Sequence, residues 1–134
     1  MQRQIIIGMI LVVVCATCSC KMETIEEKKV KDCSFTVLEQ EEIPKELEII
    51  IEEKKKEPFK LSFGEEGYLY IVQGYGAQIG GGYSIVVNQL YETENTISFE
   101  TSLIGPKEQT KTTTETYPYI VVKMEYVDKS IVYE

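Results

Sequence analysis

The sequence predicts an α+β domain, in which an antiparallel sheet of five or six strands carries one amphipathic helix packed on one face. Three observations support this fold class. Apolar residues recur at helical spacing in a single segment, whereas from residue 60 onward they alternate as in strands. The connections between the predicted strands are also short, which favours antiparallel neighbours because a parallel pair needs a crossover of about a dozen residues or more.

The predicted helix runs from Pro44 to about Lys56. Ile43, Leu47, Ile50 and Ile51 follow one another at i, i+4, i+7 and i+8, so they fall on one helical face. The proline at the start occupies a first-turn position where proline is tolerated. Acidic residues come early and lysines late, an order that complements the helix dipole. Pro58 ends the helix.

The remaining elements are predicted to be strands. Tyr68–Gln73 is apolar on both faces, so we expect it to lie in the centre of the sheet. Tyr83–Tyr91 and Thr96–Leu103 are separated by a short turn and should form a hairpin. The other predicted strands are Phe35–Glu39, the short Leu61–Phe63, Tyr117–Met124, and an edge strand at Ser130–Glu134.

A glycine-rich loop precedes the hairpin. Three consecutive glycines, Gly80 to Gly82, let the backbone turn sharply, and Tyr83 is the first side chain after this bend. Tyr119 follows an aromatic-proline step, so we expect the strands beginning at these two tyrosines to pair or to lie near one another. Tyr83 should be half-buried with its hydroxyl hydrogen-bonded. The alternative is a tyrosine-lined patch that holds a partner's peptide.

The first 19 residues predict a signal peptide. Ile5 to Val14 is an apolar run of the length of a secretory h-region and too short to span a bilayer. Cys20 follows a small residue, and the segment resembles a bacterial lipoprotein signal, which implies that Cys20 is acylated, with Cys18 as the second choice. An uncleaved anchor and an ordinary signal peptide remain alternatives. Residues 20–32 then form a charged tether, and residues 33–134 a single domain.

Charge and cysteine content exclude several functions. Of the 14 basic residues Arg3 lies in the leader, which leaves 13 lysines against 22 acidic residues, a net charge of −9. Such a domain is repelled by nucleic acid and by anionic lipid, so we expect no nucleic-acid partner and membrane attachment through the lipid alone. Cys33 is then the one thiol left, which excludes an internal disulfide, and we expect it to be buried rather than reactive.

The chain lacks the residues that most catalytic sites use. It has no histidine, the usual general base and a common zinc ligand. The glycines are followed by a predicted strand, whereas a dinucleotide-binding loop needs a helix there. We therefore expect neither enzymatic activity nor a metal or cofactor.

Two motifs carry a family resemblance. Gly81-Gly82-Tyr83-Ser84-Ile85, preceded by Gly74, and the later Tyr117-Pro118-Tyr119-Ile120-Val121-Val122-Lys123 resemble the PrcB carboxy-terminal domain family over residues 68–124. In such sequences a threonine commonly precedes the glycine pair, where this chain has Gly80. The motif residues, expected to be structural or binding positions, are Gly74, Gly80, Gly81, Gly82, Tyr83, Tyr117, Pro118 and Tyr119.

The resemblance implies a non-catalytic, lipid-anchored, extracytoplasmic accessory module on the bacterial cell membrane. The family is named for an accessory lipoprotein subunit of a surface protease complex, so a secreted or surface protease is the implied partner. Two alternatives stay open. The 106–117 loop, which contains Thr110 to Thr116, is either a mobile surface loop or the continuation of an edge strand, and it is where a protease inhibitor would act. A cell-wall-binding or solute-binding lipoprotein is the other.

Overall fold

The computed structural model describes residues 28–108 and 112–134, and about half of these residues (51%) lie in strands. The predicted signal peptide, with Cys18, Cys20 and most of the tether, lies outside the described residues. The strands are β1 (Lys31–Asp32), β2 (Thr36–Val37), β3 (Pro58–Glu65), β4 (Tyr68–Tyr75), β5 (Gln78–Ile79), β6 (Ser84–Glu92), β7 (Thr96–Ile104), β8 (Glu115–Thr116), β9 (Tyr119–Glu125) and β10 (Ser130–Tyr133). A 3-10 turn (Gln40–Glu42) precedes helix α1 (Lys45–Lys54).

The predicted single sheet of five or six strands is wrong. In the described part of the chain, the ten strands form three sheets: two four-stranded sheets of order β1-β6-β7-β10 and β2-β9-β4-β3, and a two-stranded ribbon, β5-β8. The protein is mostly β. The single-sheet prediction failed because the glycine loop carries the chain from one sheet into the other, so that β4 and the β6–β7 hairpin, although close in sequence, lie in different layers.

Local strand predictions were more accurate. β6 and β7 form the expected antiparallel hairpin, with a bulge between Val87 and Gln89. β4 is central, paired with β3 on one side and β9 on the other. β10 lies at a sheet edge as predicted, although it pairs with β7 in parallel.

The two four-stranded sheets face each other across the main core. β4 and β9 lie in the middle of one sheet, and their inward residues meet those of the hairpin from the other sheet. These buried residues are Leu69, Ile71, Ile120, Val122, Met124, Leu90, Ile97 and Phe99. The other face of β4 and β9 is buried as well, against a second apolar cluster. Both faces of these two strands are therefore apolar because each face packs against another layer of the protein.

Helix α1 forms the third layer and lies where the sequence predicted, shorter by a few residues. Pro44 occupies its N-cap position, and Lys55 ends it by donating its amide to the Ile51 carbonyl at 2.9 Å. Leu47 and Ile51 are fully buried against Tyr70 and other residues on the outer face of the β4–β9 pair. The helix therefore covers the face of β4 that the second sheet leaves open.

The edges of the two sheets are aligned. The Tyr133 hydroxyl in β10 donates to the Leu61 carbonyl in β3 at 2.9 Å, so these two edge strands lie together. Burial raises the pKa of Tyr133 to about 12. The opposite edges, formed by the short strands β1 and β2, therefore also lie on one side of the sandwich, where the described chain begins. No helix among the described residues is long and apolar enough to cross a membrane.

Candidate functional site

The glycine corner, residues 76–83, carries the chain between the two sheets. Gly80 and Gly82 have φ angles of 90° and 84°, a left-handed conformation that side chains with a Cβ rarely adopt. A Cβ on Gly82 would also lie 2.9 Å from Cβ of Pro106, whereas one on Gly81 would meet nothing within 4 Å. Of the three glycines, the outer two are thus required by geometry and the middle one is not.

The corner is braced by threonines of the 106–117 segment, for which the sequence left a loop and an edge strand open. The Gly80 amide donates to the Thr114 carbonyl at 2.7 Å, and the Thr116 hydroxyl donates to the Gly80 carbonyl at 2.6 Å. β5 and β8 pair beside these contacts. The available signal was the β-forming threonine run itself, which is typical of a strand as well as of a loop. Residues 109–111 of that loop lie outside the described residues.

Tyr83 is half-buried, and its hydroxyl donates to the Ile79 carbonyl at 3.4 Å. Its ring lies beside Gly105, where a Cβ would be 3.7 Å from Cε1 of the tyrosine. Its strand does not pair with the strand of Tyr119, since β6 and β9 belong to different sheets. The two strands do lie near one another, as the other form of the expectation had it, because Leu90 of β6 and Ile120 of β9 share one core cluster. The tyrosine packs within its own corner instead.

Gly74 lies in β4 directly opposite Phe59 of β3 and Tyr119 of β9. The Phe59 ring covers it so closely that a Cβ there would be 2.2 Å from Cε1 and 2.6 Å from Cδ1 of the ring. This glycine is therefore a packing position, where the missing side chain makes room for the aromatic ring.

Tyr117, Pro118 and Tyr119 follow the brace and line a pocket. The Tyr75 amide donates to the Pro118 carbonyl at 3.0 Å, which fixes this segment against the end of β4. The tyrosine pocket, as we name it, has a volume of about 300 Å³ and is lined by these three residues together with Leu38, Glu39 and Ile43. Two of the predicted motif tyrosines thus share one cavity, which Tyr83 does not line.

Carboxylates surround the two rings of the tyrosine pocket. Burial raises the pKa of Tyr119, and the nearby carboxylates of Glu52 and Glu48 raise it further. The Tyr117 hydroxyl donates to Glu115 at 3.2 Å, a bond that raises the pKa of this tyrosine.

One lysine is placed over the pocket's outer ring. The Lys55 ammonium lies 5.4 Å from the centroid of the Tyr117 ring and 2.9 Å from the Glu52 carboxylate. Its hydrogen bond to Glu52 raises the pKa of the lysine. An ammonium is therefore held over an aromatic face at this site, as a cation–π contact requires.

An uncovered strand edge begins at the glycine corner. β1 pairs with β6 only at Tyr91 and Glu92, so no strand in the described ranges pairs with the outer side of residues 84–89. We call these residues the open row. Val86 is 45% exposed within it, and Ile104 on the neighbouring strand is 47% exposed.

The pairing pattern shows which main-chain groups the open row offers. The Leu90 carbonyl points outward, because it accepts the Cys33 amide at 3.0 Å. In an antiparallel strand, the amide and carbonyl of successive residues point alternately toward one side of the strand and the other. The extra residue of the bulge, Asn88, shifts this alternation along β6 by one position. The outward amides and carbonyls are therefore those of Ile85 and Val87.

Other polar features lie away from the corner. A groove of about 830 Å³ runs along the opposite edge, lined by residues of β3, β10 and the turns beside them, including Tyr126. Glu92 is buried beside β1, and the ammonium of Lys129 at 2.9 Å lowers its pKa. Cys33 is half-buried, and burial raises its pKa, which disfavours the reactive thiolate. Within the described residues no group of three His, Cys, Asp or Glu side chains is arranged to hold a metal ion.

Comparison with known proteins identifies the part of the chain that contains these features. Residues 69–125 match the family model described as PrcB C-terminal, a range that runs from β4 through the glycine corner and the hairpin to β9. Searches among curated proteins and among solved structures gave no match. The match confirms the resemblance to the PrcB C-terminal family that the two motifs indicated, over residues 69–125.

Proposed function

We propose that the chain is a non-catalytic, lipid-anchored accessory module outside the cytoplasm, which binds a secreted or surface protease. The partner docks an extended segment as an added strand along the open row of β6. Acylated Cys20 attaches the module to the bacterial membrane, and the charged tether connects this anchor to the sandwich.

The family match supports the accessory role, because the resemblance implies a subunit that assists a protease rather than one that cleaves peptides. The sequence supports the anchor through its short apolar leader followed by a cysteine. The composition agrees with recognition rather than catalysis, since the chain has no histidine to act as a general base.

The observation that carries the proposal is the open row. A strand edge with outward amides and carbonyls is a template for another chain, and natural proteins usually cover or charge such edges. This edge has no charged side chain between Ser84 and Gln89, and its exposed Val86 can pack against an added strand. Main-chain hydrogen bonds would supply affinity, and alternate side chains would supply specificity.

A charge placed on the open row should block docking. Val86→Glu puts a carboxylate on the open row, on the same face of the sheet as Glu100. A strand added along this edge would have to remove water from the new carboxylate. We expect about a tenfold or greater loss of the protease that co-purifies with the tagged full-length chain from membranes of the producing bacterium, as an energetic cost of about 1.4 kcal/mol would give. Quantitative mass spectrometry measures the loss.

Val132→Glu is the matched control. Val132 is 42% exposed on β10, at the far edge of the same sheet, so this variant adds the same charge at similar exposure. It should retain the protease at the wild-type level, and both variants should melt close to the wild type. If both lose the partner equally, or if no protease is recovered with the wild-type chain, docking along β6 is wrong.

A further inference from the structure

We propose that two copies of this chain pair along strand β3, antiparallel and centred on Ser62, so that the sheet β2-β9-β4-β3 continues from one copy into the other. β3 is the edge strand of that sheet, and among the described residues it pairs with β4 alone. The chemistry of this edge is complementary to itself, which identifies a second copy as its occupant. The pairing does not depend on the protease docking proposed above.

The unpaired main-chain groups of β3 follow from the hydrogen bonds of its neighbours. The Tyr75 amide donates to the Pro118 carbonyl at 3.0 Å, so the main chain of Tyr75 faces β9. Main-chain direction alternates along β4, so the residue before Tyr75, and every second residue before that, faces β3. Their partners on β3 are Phe59, Leu61, Phe63 and Glu65. The outward amides and carbonyls of β3 are therefore those of Lys60, Ser62 and Gly64.

This edge is accessible to another chain. Ser62 and Gly64 line the groove of about 830 Å³ beside it, and the three residues whose main chain points outward are all exposed. None of them is a proline, so each offers an amide as well as a carbonyl. Antiparallel pairing centred on Ser62 matches Lys60 with Gly64 of the second copy and Ser62 with its own counterpart. Each such pair exchanges both of its main-chain hydrogen bonds.

Opposite charges lie toward the two ends of the edge. Lys60 is near the start of β3, whereas Glu65 and Glu66 are at its end. Within the described residues none of these three side chains forms an ion pair. Antiparallel pairing places Lys60 of each copy beside the glutamates of the other, whereas parallel pairing would place like charges together. The edge therefore attracts a second copy locally, although the whole domain is acidic.

The one contact that Lys60 makes within its own chain is compatible with this pairing. Its ammonium lies 5.6 Å from the centroid of the Tyr133 ring. An ammonium carries three donors, so a carboxylate of the second copy can approach it from the side that faces away from the ring. The cation–π contact then persists beside the new ion pair.

Side chains across the pairing are also complementary. On the helix-covered face, Leu61 of one copy lies opposite Phe63 of the other, and both are half-buried residues of the cluster beneath helix α1. The added strand would cover the part of these side chains that is still exposed. On the other face, Lys60 lies opposite Gly64, where its stem can pack beside the exposed Tyr126 ring that covers this glycine.

Pairing through β3 leaves the open row accessible. β3 lies beside β10 at one side of the sandwich, whereas the open row continues the line of β1 at the opposite side. A dimer formed in this way therefore presents two open rows, one on each outer side.

Cysteine cross-linking in membranes tests the pairing. Ser62→Cys places a thiol opposite its own counterpart, at the Cα separation of about 5.5 Å that a disulfide can bridge. The full-length variant is produced in a Cys33→Ala background, and isolated membranes are oxidised with copper phenanthroline. On a non-reducing gel we expect about tenfold or more dimer than from Ser130→Cys in the same background. Ser130 is exposed and lines the same groove, so it is the matched control.

Charge variants give a second, independent measurement. Lys60→Glu in the Ser62→Cys chain turns attraction into repulsion at both ends of the pairing and should reduce the dimer about fivefold or more. Adding Glu65→Lys and Glu66→Lys restores opposite charges and should recover the dimer. Lys45→Glu, the same change on the exposed side of helix α1, should leave the dimer unchanged.

The results separate specific pairing from random collision. Equal cross-linking of Ser62→Cys and Ser130→Cys would overturn the β3 dimer. A dimer that Lys60→Glu leaves unchanged, or that the charge exchange fails to recover, would overturn it as well. None of these results bears on docking along β6, which the loss of protease from Val86→Glu tests separately.

Discussion

Replacing Phe99 with alanine should lower the free energy of unfolding by about 3–5 kcal/mol, as is typical of a buried phenylalanine. Phe99 is fully buried on the inner face of β7, and its ring meets the Tyr133 ring edge-on at a centroid distance of 6.0 Å. Truncation would leave a cavity between the two sheets, where neither sheet can collapse without losing its own pairing. Urea unfolding of the full-length chain measures the loss.

The matched control is Ile104→Ala on the same strand. Ile104 is 47% exposed on the outer face of the sheet, so we expect a change within about 0.5 kcal/mol. A loss below about 1 kcal/mol for Phe99→Ala, or equal losses for the two variants, would mean that Phe99 does not lie between two sheets.

Gly74→Ala should cost about 1–3 kcal/mol, because the new methyl group collides with a packed ring. A Cβ at position 74 would lie 2.2 Å from Cε1 of Phe59, so the ring would have to leave its place in the core beneath helix α1. β4 is paired on both sides and cannot shift to relieve the collision. The same unfolding measurement applies.

Two comparisons isolate the cause. Gly81→Ala, in the same glycine-rich segment, meets nothing within 4 Å and should change stability by less than about 0.5 kcal/mol. Combining Gly74→Ala with Phe59→Ala removes the obstructing ring, so the double variant should be less destabilised than the sum of the single ones. Strict additivity would show that the ring is not the obstacle.

Features that depend on neighbouring residues were predictable from the sequence. The spacing of Leu47 and Ile51 defines a helical face, and Pro44 and Pro58 mark where that helix can exist. The short turn after Glu92 likewise fixes the β6–β7 hairpin, since so few residues allow only an antiparallel return.

Features that depend on distant pairing were not predictable. The alternation in Phe99's strand specifies a buried face but not the partner that buries it, so one sheet with a helix and two facing sheets fit the same pattern. β10 pairs with β7 in parallel, a choice that no local signal in the residues 130–133 encodes. The wrong fold class follows from this missing long-range information.

The candidate site divides in the same way. The bend at Gly80 and Gly82 was predictable, because consecutive glycines permit positive φ angles. The brace by Thr114 and Thr116 and the open row of β6 were not, since each depends on which distant segment comes to lie beside the corner. The open row exists because β1 is only two residues long.

Amide hydrogen exchange along β6 tests the central claim most directly. In the free full-length chain, the outward amides of Ile85 and Val87 should exchange about tenfold or more faster than that of Val86, which is paired with β7, and adding the captured protease should protect both. If Ile85 and Val87 are already as protected as Val86 in the free chain, or stay equally fast when the protease is bound, the β6 edge is not the docking site.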